Sequence, residues 1–194
     1  MSQPAPRIRL TYAEYLELER STDTRHEFLS GEAWAMAGGS FAHAELAANV
    51  IVALRALLGR GRCHIHTSDL KIRVLETGLS TYPDVSVVCG EAIRAPDDAN
   101  TATNPIALVE VLSDSTESYD RGAKFAHYRR IPSLRAYVLV SQHERRIEVF
   151  ERGEDAQWSF TEAVDRGSVP IRCFGGGLAV EDVYDGVTLD VPAV

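Results

Sequence analysis

The stretch Pro105-Ile106-Ala107-Leu108-Val109-Glu110-Val111-Leu112-Ser113 limits the fold more than any other part of the chain. It is short and almost continuously apolar, opened by a proline and followed by a polar cluster, the pattern of a strand buried on both faces. Such a strand belongs inside a sheet. Alternation puts Glu110 on one face with Leu108 and Leu112, and Val109 and Val111 on the other. An ionised carboxylate in that setting is costly unless a cation meets it. An edge strand with the acid in water is the bland alternative, and it fits the apolar neighbours poorly.

A second apolar run, Tyr82-Pro83-Asp84-Val85-Ser86-Val87-Val88, carries one acid near its start. Pro83 lacks a ladder donor and favours extended backbone before it, so Asp84 is expected at a strand end or edge. A Pro-Asp pair is also an ordinary turn signal. If the two strands are neighbours, Asp84 and Glu110 meet at one point. Hard cations such as Mg²⁺ take oxygen ligands, commonly one or two carboxylates plus waters. Lys124 follows Glu110 by fourteen positions (124 − 110), about two turns into the next helix. A helix packed back on the sheet aims its ammonium at the carboxylates, where it orients water or offsets charge on a phosphoryl group. The alternative is a surface pair with Asp120, four residues earlier.

Composition sets the frame. At 194 residues, 45% hydrophobic and 25% charged, the chain suits one ordinary globular domain. Its net charge of −8 argues against a uniformly basic nucleic-acid binder, although basic clusters occur at 55–62, 121–130 and 145–146. The first six residues lack the apolar core of a signal peptide, and no apolar run approaches a membrane span. Cys63, Cys89 and Cys173 are odd in number and form no CxxC, so reduced cysteines and a cytoplasmic location are expected.

In chain order, residues 1–9 read as a mobile arm. Thr11 and Glu14 have capping-box spacing ahead of a helix over 12–20. Segments 25–29 and 32–36, joined by Ser30-Gly31, read as a hairpin. Ser40 caps a long amphipathic helix ending at Gly59, with His43 at the start of its buried stripe. Strands are expected over 63–67, 70–75 and 83–89, then a loop over 90–104 before the Glu110 strand. Asp114 and Glu117 have cap spacing for a helix reaching about residue 130, before Pro132. Further strands are expected over 136–141, 146–151 and 157–163, and Gly175–Gly177 as a loop. The expected fold is α/β (α+β), a mixed sheet flanked by helices.

Three other constellations carry less. Cys63-His64-Ile65-His66 puts two histidines on one side of a strand, but no second pair nearby completes a zinc set. Ser113 or Ser115 with His127 lacks a nucleophile elbow, and those serines suit a helix start. Lys71 is an alternative lysine for the acids if its strand lies beside Asp84.

The run from Tyr82 to Val88, the Glu110 strand with Ser113-Asp114-Ser115-Thr116, and Asp120-Arg121-Gly122-Ala123-Lys124 with Tyr128 together resemble the Uma-two family of the PD-(D/E)XK nuclease superfamily. Thr11–Leu16, Arg25–Glu32 and Ser40–His43 agree, so the resemblance spans residues 10–152, leaving 153–194 as C-terminal strands and loops. It implies an αβββαβ restriction endonuclease-like core, a divalent metal (Mg²⁺ or Mn²⁺) and hydrolysis of DNA phosphodiesters. Asp84 is then the acid of the PD motif and Glu110 the D/E position, with the Val111 carbonyl joining them as metal ligands. The motif's lysine belongs two after Glu110, where this chain has Leu112, and Lys124 matches the helix lysine of the family as a migrated replacement. Glu27 and His43 match family positions too, as a further ligand and a proton-handling or phosphate-contacting group, while Asp120 orients Lys124. A homodimer is expected if both strands are cut in one encounter. The competing class is a catalytically silent nuclease fold acting as a binding or regulatory module.

Overall fold

The computed structural model describes residues 6–36 and 38–190. Part of the expected arm is ordered: Arg7–Arg9 form β1, while residues 1–5 lie outside the described residues. Helix α1 (Tyr12–Ser21) starts with a capping box, the Thr11 side chain accepting from the Glu14 N–H and the Glu14 carboxylate accepting from the Thr11 N–H. Strands β2 (His26–Leu29) and β3 (Glu32–Ala35) form the expected hairpin. Both turn residues have positive φ, 53° at Ser30 and 85° at Gly31, which matches the right-handed twist of the strands. β1 adds antiparallel to β3, an outward pairing that the polar composition of the arm does not announce.

Helix α2 (Phe41–Leu58) has Ser40 as N-cap and Gly59 as C-cap. With 18 residues and a mean hydropathy of 1.5 it is long and apolar enough to cross a membrane, contrary to the expectation that no run approaches that length. Here it packs by one stripe, Leu46, Val50 and Leu54, on the main core.

Then come β4 (Cys63–Thr67), β5 (Lys71–Val74), β6 (Leu79–Thr81), β7 (Val85–Cys89), β8 (Arg94–Ala95), β9 (Asp98–Ala102) and β10 (Ala107–Leu112). The segment 90–104 is therefore not a plain loop: β9 pairs in parallel with β5 and β8 folds back on it. These strands are too short and polar to show an alternating pattern.

The expected helix over 114–130 is interrupted. Its pieces are α3 (Glu117–Tyr119), a π-helical turn (Asp120–Lys124) and α4 (Phe125–Tyr128). Its N-cap is Thr116, which makes no side-chain cap bond, so the Asp114 cap is not formed. The chain ends with β11 (Ala136–Ser141), β12 (Arg146–Arg152), β13 (Trp158–Val164), β14 (Ser168–Ile171), β15 (Gly176–Ala179) and α5 (Val180–Val183). The glycine run is thus partly strand rather than loop. A Cβ at Gly177 would lie 2.3 Å from the Val169 carbonyl oxygen and one at Gly176 2.4 Å from Leu57, so glycine lets β15 close on β14 and α2.

Two large sheets result among the described residues. One runs β13-β12-β11-β10-β7-β4 and the other β1-β3-β2-β6-β5-β9-β8. The first is mixed, since β10 runs parallel to β11 and antiparallel to β7. Val109 and Val111 face the core under α2, and Leu108 and Leu112 face the core that contains Phe125 and Tyr128, as alternation predicts. The fold is α+β, a mixed sheet flanked by helices. One expectation about the cysteines is overturned. Cys63 and Cys89 stand opposite each other in the β4–β7 register and are joined as a disulfide, leaving Cys173 free. A separation of 26 in sequence carries no pairing signal until the strand register is known.

Candidate active site

The register of β7 on β10 brings the two acids together. Val85 pairs with Val109, so Asp84, one residue before β7, comes level with Glu110. There the Asp84 Oδ2 accepts a hydrogen bond from the Val111 backbone N–H at 2.7 Å. His43, from the first turn of α2, sets its Nε2 3.3 Å from the same oxygen, and the ring also faces the Val111 carbonyl. Burial works to lower the imidazole's pKa, but the bond to Asp84 and its charge outweigh that and leave it raised.

Glu110 is fixed from the helix side. Its Oε1 accepts from the Tyr128 hydroxyl at 2.7 Å and lies 3.0 Å from Lys124 Nζ. The same ammonium is 3.1 Å from Glu27 Oε1 and 3.2 Å from Asp120 Oδ1. Glu27 arrives from β2 of the other sheet and also accepts from the Thr81 hydroxyl of β6. The site therefore sits where the two sheets meet, each contributing acids.

The π turn explains how one helix supplies three groups. Positions four apart on an α-helix drift by about 40° around the axis. A single wide turn of the i→i+5 kind offsets that drift, and Asp120, Lys124 and Tyr128 all reach the same cluster. The Asp120 carbonyl, in the turn, accepts from the buried Tyr137 hydroxyl at 3.0 Å.

Charge in the cluster does not balance. Glu27, Asp84, Glu110 and Asp120 face one ammonium and one imidazole. Burial drives the Glu110 pKa well above the ordinary carboxylate range; Lys124 opposes this, and Asp120 and Asp84 add to it. Burial pulls Lys124 the other way, but Glu110, Glu27, Tyr128 and Asp120 hold it well above its usual value. Its ammonium is held by three carboxylates. Glu27 Oε2 is buried with no hydrogen-bond partner. No group of three His, Cys, Asp or Glu side chains among the described residues is spaced as a ready-made cage. The donor set nevertheless fits a hard divalent ion, which needs only one or two carboxylates, with waters completing the shell.

A cavity of about 510 Å³ opens over this cluster, lined by Glu27, His43, Asp84, Glu110, Val111, Asp120 and Lys124. Every residue assigned from the resemblance to the metal, the catalytic lysine or their accessories thus lines one cavity. Lys71 does not join them: it pairs with Asp98 at 2.9 Å. Ser113 bonds Ser115 and Thr116 in the helix approach, without a histidine partner. Sequence reasoning passed over Tyr128 as a site residue, and also Arg7, Trp34 and Tyr119, which form the outer wall of the cavity. A signal existed for Tyr128, four after Lys124 and eight after Asp120.

Comparison with known proteins bears on the family and the fold. The uncharacterized protein slr1290 of Synechocystis sp. is 36% identical over 186 residues, covering 96% of this chain and 97% of that protein. The uncharacterized protein sll1609 of the same organism is 36% identical over 153 residues, covering 79% of this chain and 86% of its own. A crystal structure described as a "putative nuclease belonging to DUF820" from Anabaena variabilis superposes with a TM-score of 0.70 at 16% identity, over 86% of this chain and 93% of that one. That likeness shows the fold. The profile of the family described as "Uma2: Putative restriction endonuclease" matches residues 12–181, beyond the resemblance at 10–152. The chain therefore belongs to the Uma2 family of restriction endonuclease-like proteins.

Proposed function

We propose that this chain is a metal-dependent DNA endonuclease, with Asp84, Glu110 and the Val111 carbonyl holding Mg²⁺ or Mn²⁺ and Lys124 assisting the attack of water. The observation that carries the reading is the shared cavity: two carboxylates from adjacent strands and one buried ammonium at its floor. When bound, the ion supplies polarisation of a phosphoryl oxygen and activation of a water.

The chain's own groups do the rest. The Val111 N–H and His43 fix Asp84, and the Tyr128 hydroxyl fixes Glu110, so both carboxylates present their remaining oxygens to the cavity. Lys124 stays charged and offsets negative charge that builds on the phosphoryl oxygens during attack. Asp120 and Glu27 hold that ammonium in place. His43 is placed to relay a proton at Nε2.

Leu112 at the motif's lysine position, with Lys124 already bound by three carboxylates, favours the alternative of a silent fold that binds without cutting. Supercoiled plasmid and circular single-stranded DNA, each incubated with the protein and Mn²⁺ or Mg²⁺, separate the two. The endonuclease reading expects nicking that Asp84→Ala, Glu110→Ala and Lys124→Ala each abolish. Nicking that persists in all three variants, or none of either DNA in the wild type, rejects it.

A further inference from the structure

The outer wall of the cavity has a chemistry that the catalytic cluster does not use. Trp34, on β3, is half-buried; its indole meets the Tyr119 ring edge-on, with centroids 6.4 Å apart. The Arg7 guanidinium lies over the indole at 4.8 Å and is tied to Glu32 at 2.7 Å. All three aromatic and basic groups line the same cavity as Asp84, Glu110 and Lys124.

The floor is deep: Glu110 is 4% exposed and Lys124 5%. A phosphodiester reaches them only by entering a space of about 510 Å³. That volume falls in the range of small-molecule sites, roughly 300–1,000 Å³. It is large enough for one nucleotide of an extended strand and too small for a stacked base pair with both its backbones. Nor does the electrostatics suit a duplex. Proteins that grip double-stranded DNA do so with many Lys and Arg contacts to phosphate. Here four carboxylates line the cavity of a chain with a net charge of −8, and among the described lining residues Arg7, its side chain 61% exposed, is the solvent-facing cation. Single-strand binding adds to its phosphate contacts the stacking of bases against aromatic side chains, which every base allows.

We propose that the cavity takes an unpaired DNA nucleotide, with Trp34 as the stacking platform for its base and Arg7 as the contact for a neighbouring phosphate. This rests on the nuclease reading above and names the form of DNA that reading requires: single strands, flaps or frayed ends.

The test is fluorescence anisotropy with the full chain in EDTA, so that nothing is cut. The probes are a fluorescein-labelled twelve-nucleotide oligodeoxythymidylate and a labelled blunt duplex of the same length. The single strand is expected to bind at least tenfold more tightly, with weak salt dependence. Trp34→Ala weakens single-strand binding about tenfold, while Trp34→Phe keeps most of it. Equal or tighter binding of the duplex overturns the proposal, as does Trp34→Ala with unchanged single-strand affinity and a wild-type circular dichroism spectrum. If Trp34→Ala fails to fold, the strand preference of the wild type and of Trp34→Phe decides. The two readings fail separately. Metal-dependent plasmid nicking with no strand preference sinks this inference alone, and Trp34-dependent strand binding without cleavage under any metal sinks the nuclease reading alone.

Discussion

Lys124 Nζ lies 3.0 Å from Glu110 Oε1, on the helix that follows the Glu110 strand, and shares its charge with Glu27 and Asp120. The cluster's other basic group, His43, lies against Asp84 instead. Lys124→Met keeps the length and removes the charge, and breaking a buried charge set in this way costs about 3–5 kcal/mol. Urea unfolding should show that loss as a lower midpoint. Mn²⁺ should then raise the midpoint of Lys124→Met by more than that of the wild type, because the ion replaces the missing positive charge.

Gly39 sets the position of His43. A Cβ there would lie 2.7 Å from His43 Nδ1 and 2.8 Å from its Cγ, so Gly39→Ala moves the ring off Asp84. Gly39 is exposed, and the stability change is expected within about 0.5 kcal/mol. Nicking should fall several-fold all the same, and the His43 ring resonances should shift in heteronuclear NMR spectra. Unshifted resonances would contradict the contact.

Much of this was legible before any coordinates. Glu110 stood out because an acid inside an apolar run needs a partner, and Asp84 because a proline fixed the start of the neighbouring run. That the two strands pair was only a condition in the sequence, met by the β7–β10 register, whereas the helix caps at Thr11 and Ser40 follow from short-range hydrogen bonding. What stayed hidden depends on long-range register. The Cys63–Cys89 disulfide, the β8–β9 insertion and the edge pairing of β1 need partners distant in sequence, and no local pattern encodes them. The π turn was hidden for a different reason: 117–128 has ordinary helical periodicity, and the extra residue in the turn is enforced by what Asp120, Lys124 and Tyr128 reach.

A second histidine, in the bend between β11 and β12, reports on pH. His143 sets Nδ1 3.0 Å from the Asp190 carbonyl oxygen and Nε2 2.7 Å from Asp114 Oδ1. The bond to Asp190 raises its pKa; partial burial opposes this, and Asp114 adds to the rise. A group with a raised folded pKa contributes stability in full below its unfolded value, about 6.5 for histidine, and loses it as pH rises through the folded value. The wild type should therefore exceed His143→Gln in Tm most at pH 5.5, with the gap shrinking as pH rises above 6.5. A gap that is constant across pH would contradict the charged pair.

Asp84 and Glu110 are expected to hold one ion jointly. Isothermal titration of Mn²⁺ into the full chain without DNA reads this directly. One ion per chain is predicted for the wild type, with binding weakened at least tenfold by Asp84→Asn and by Glu110→Gln alike. Wild-type protein that takes up no Mn²⁺, or variants that bind it as the wild type does, would contradict the claim.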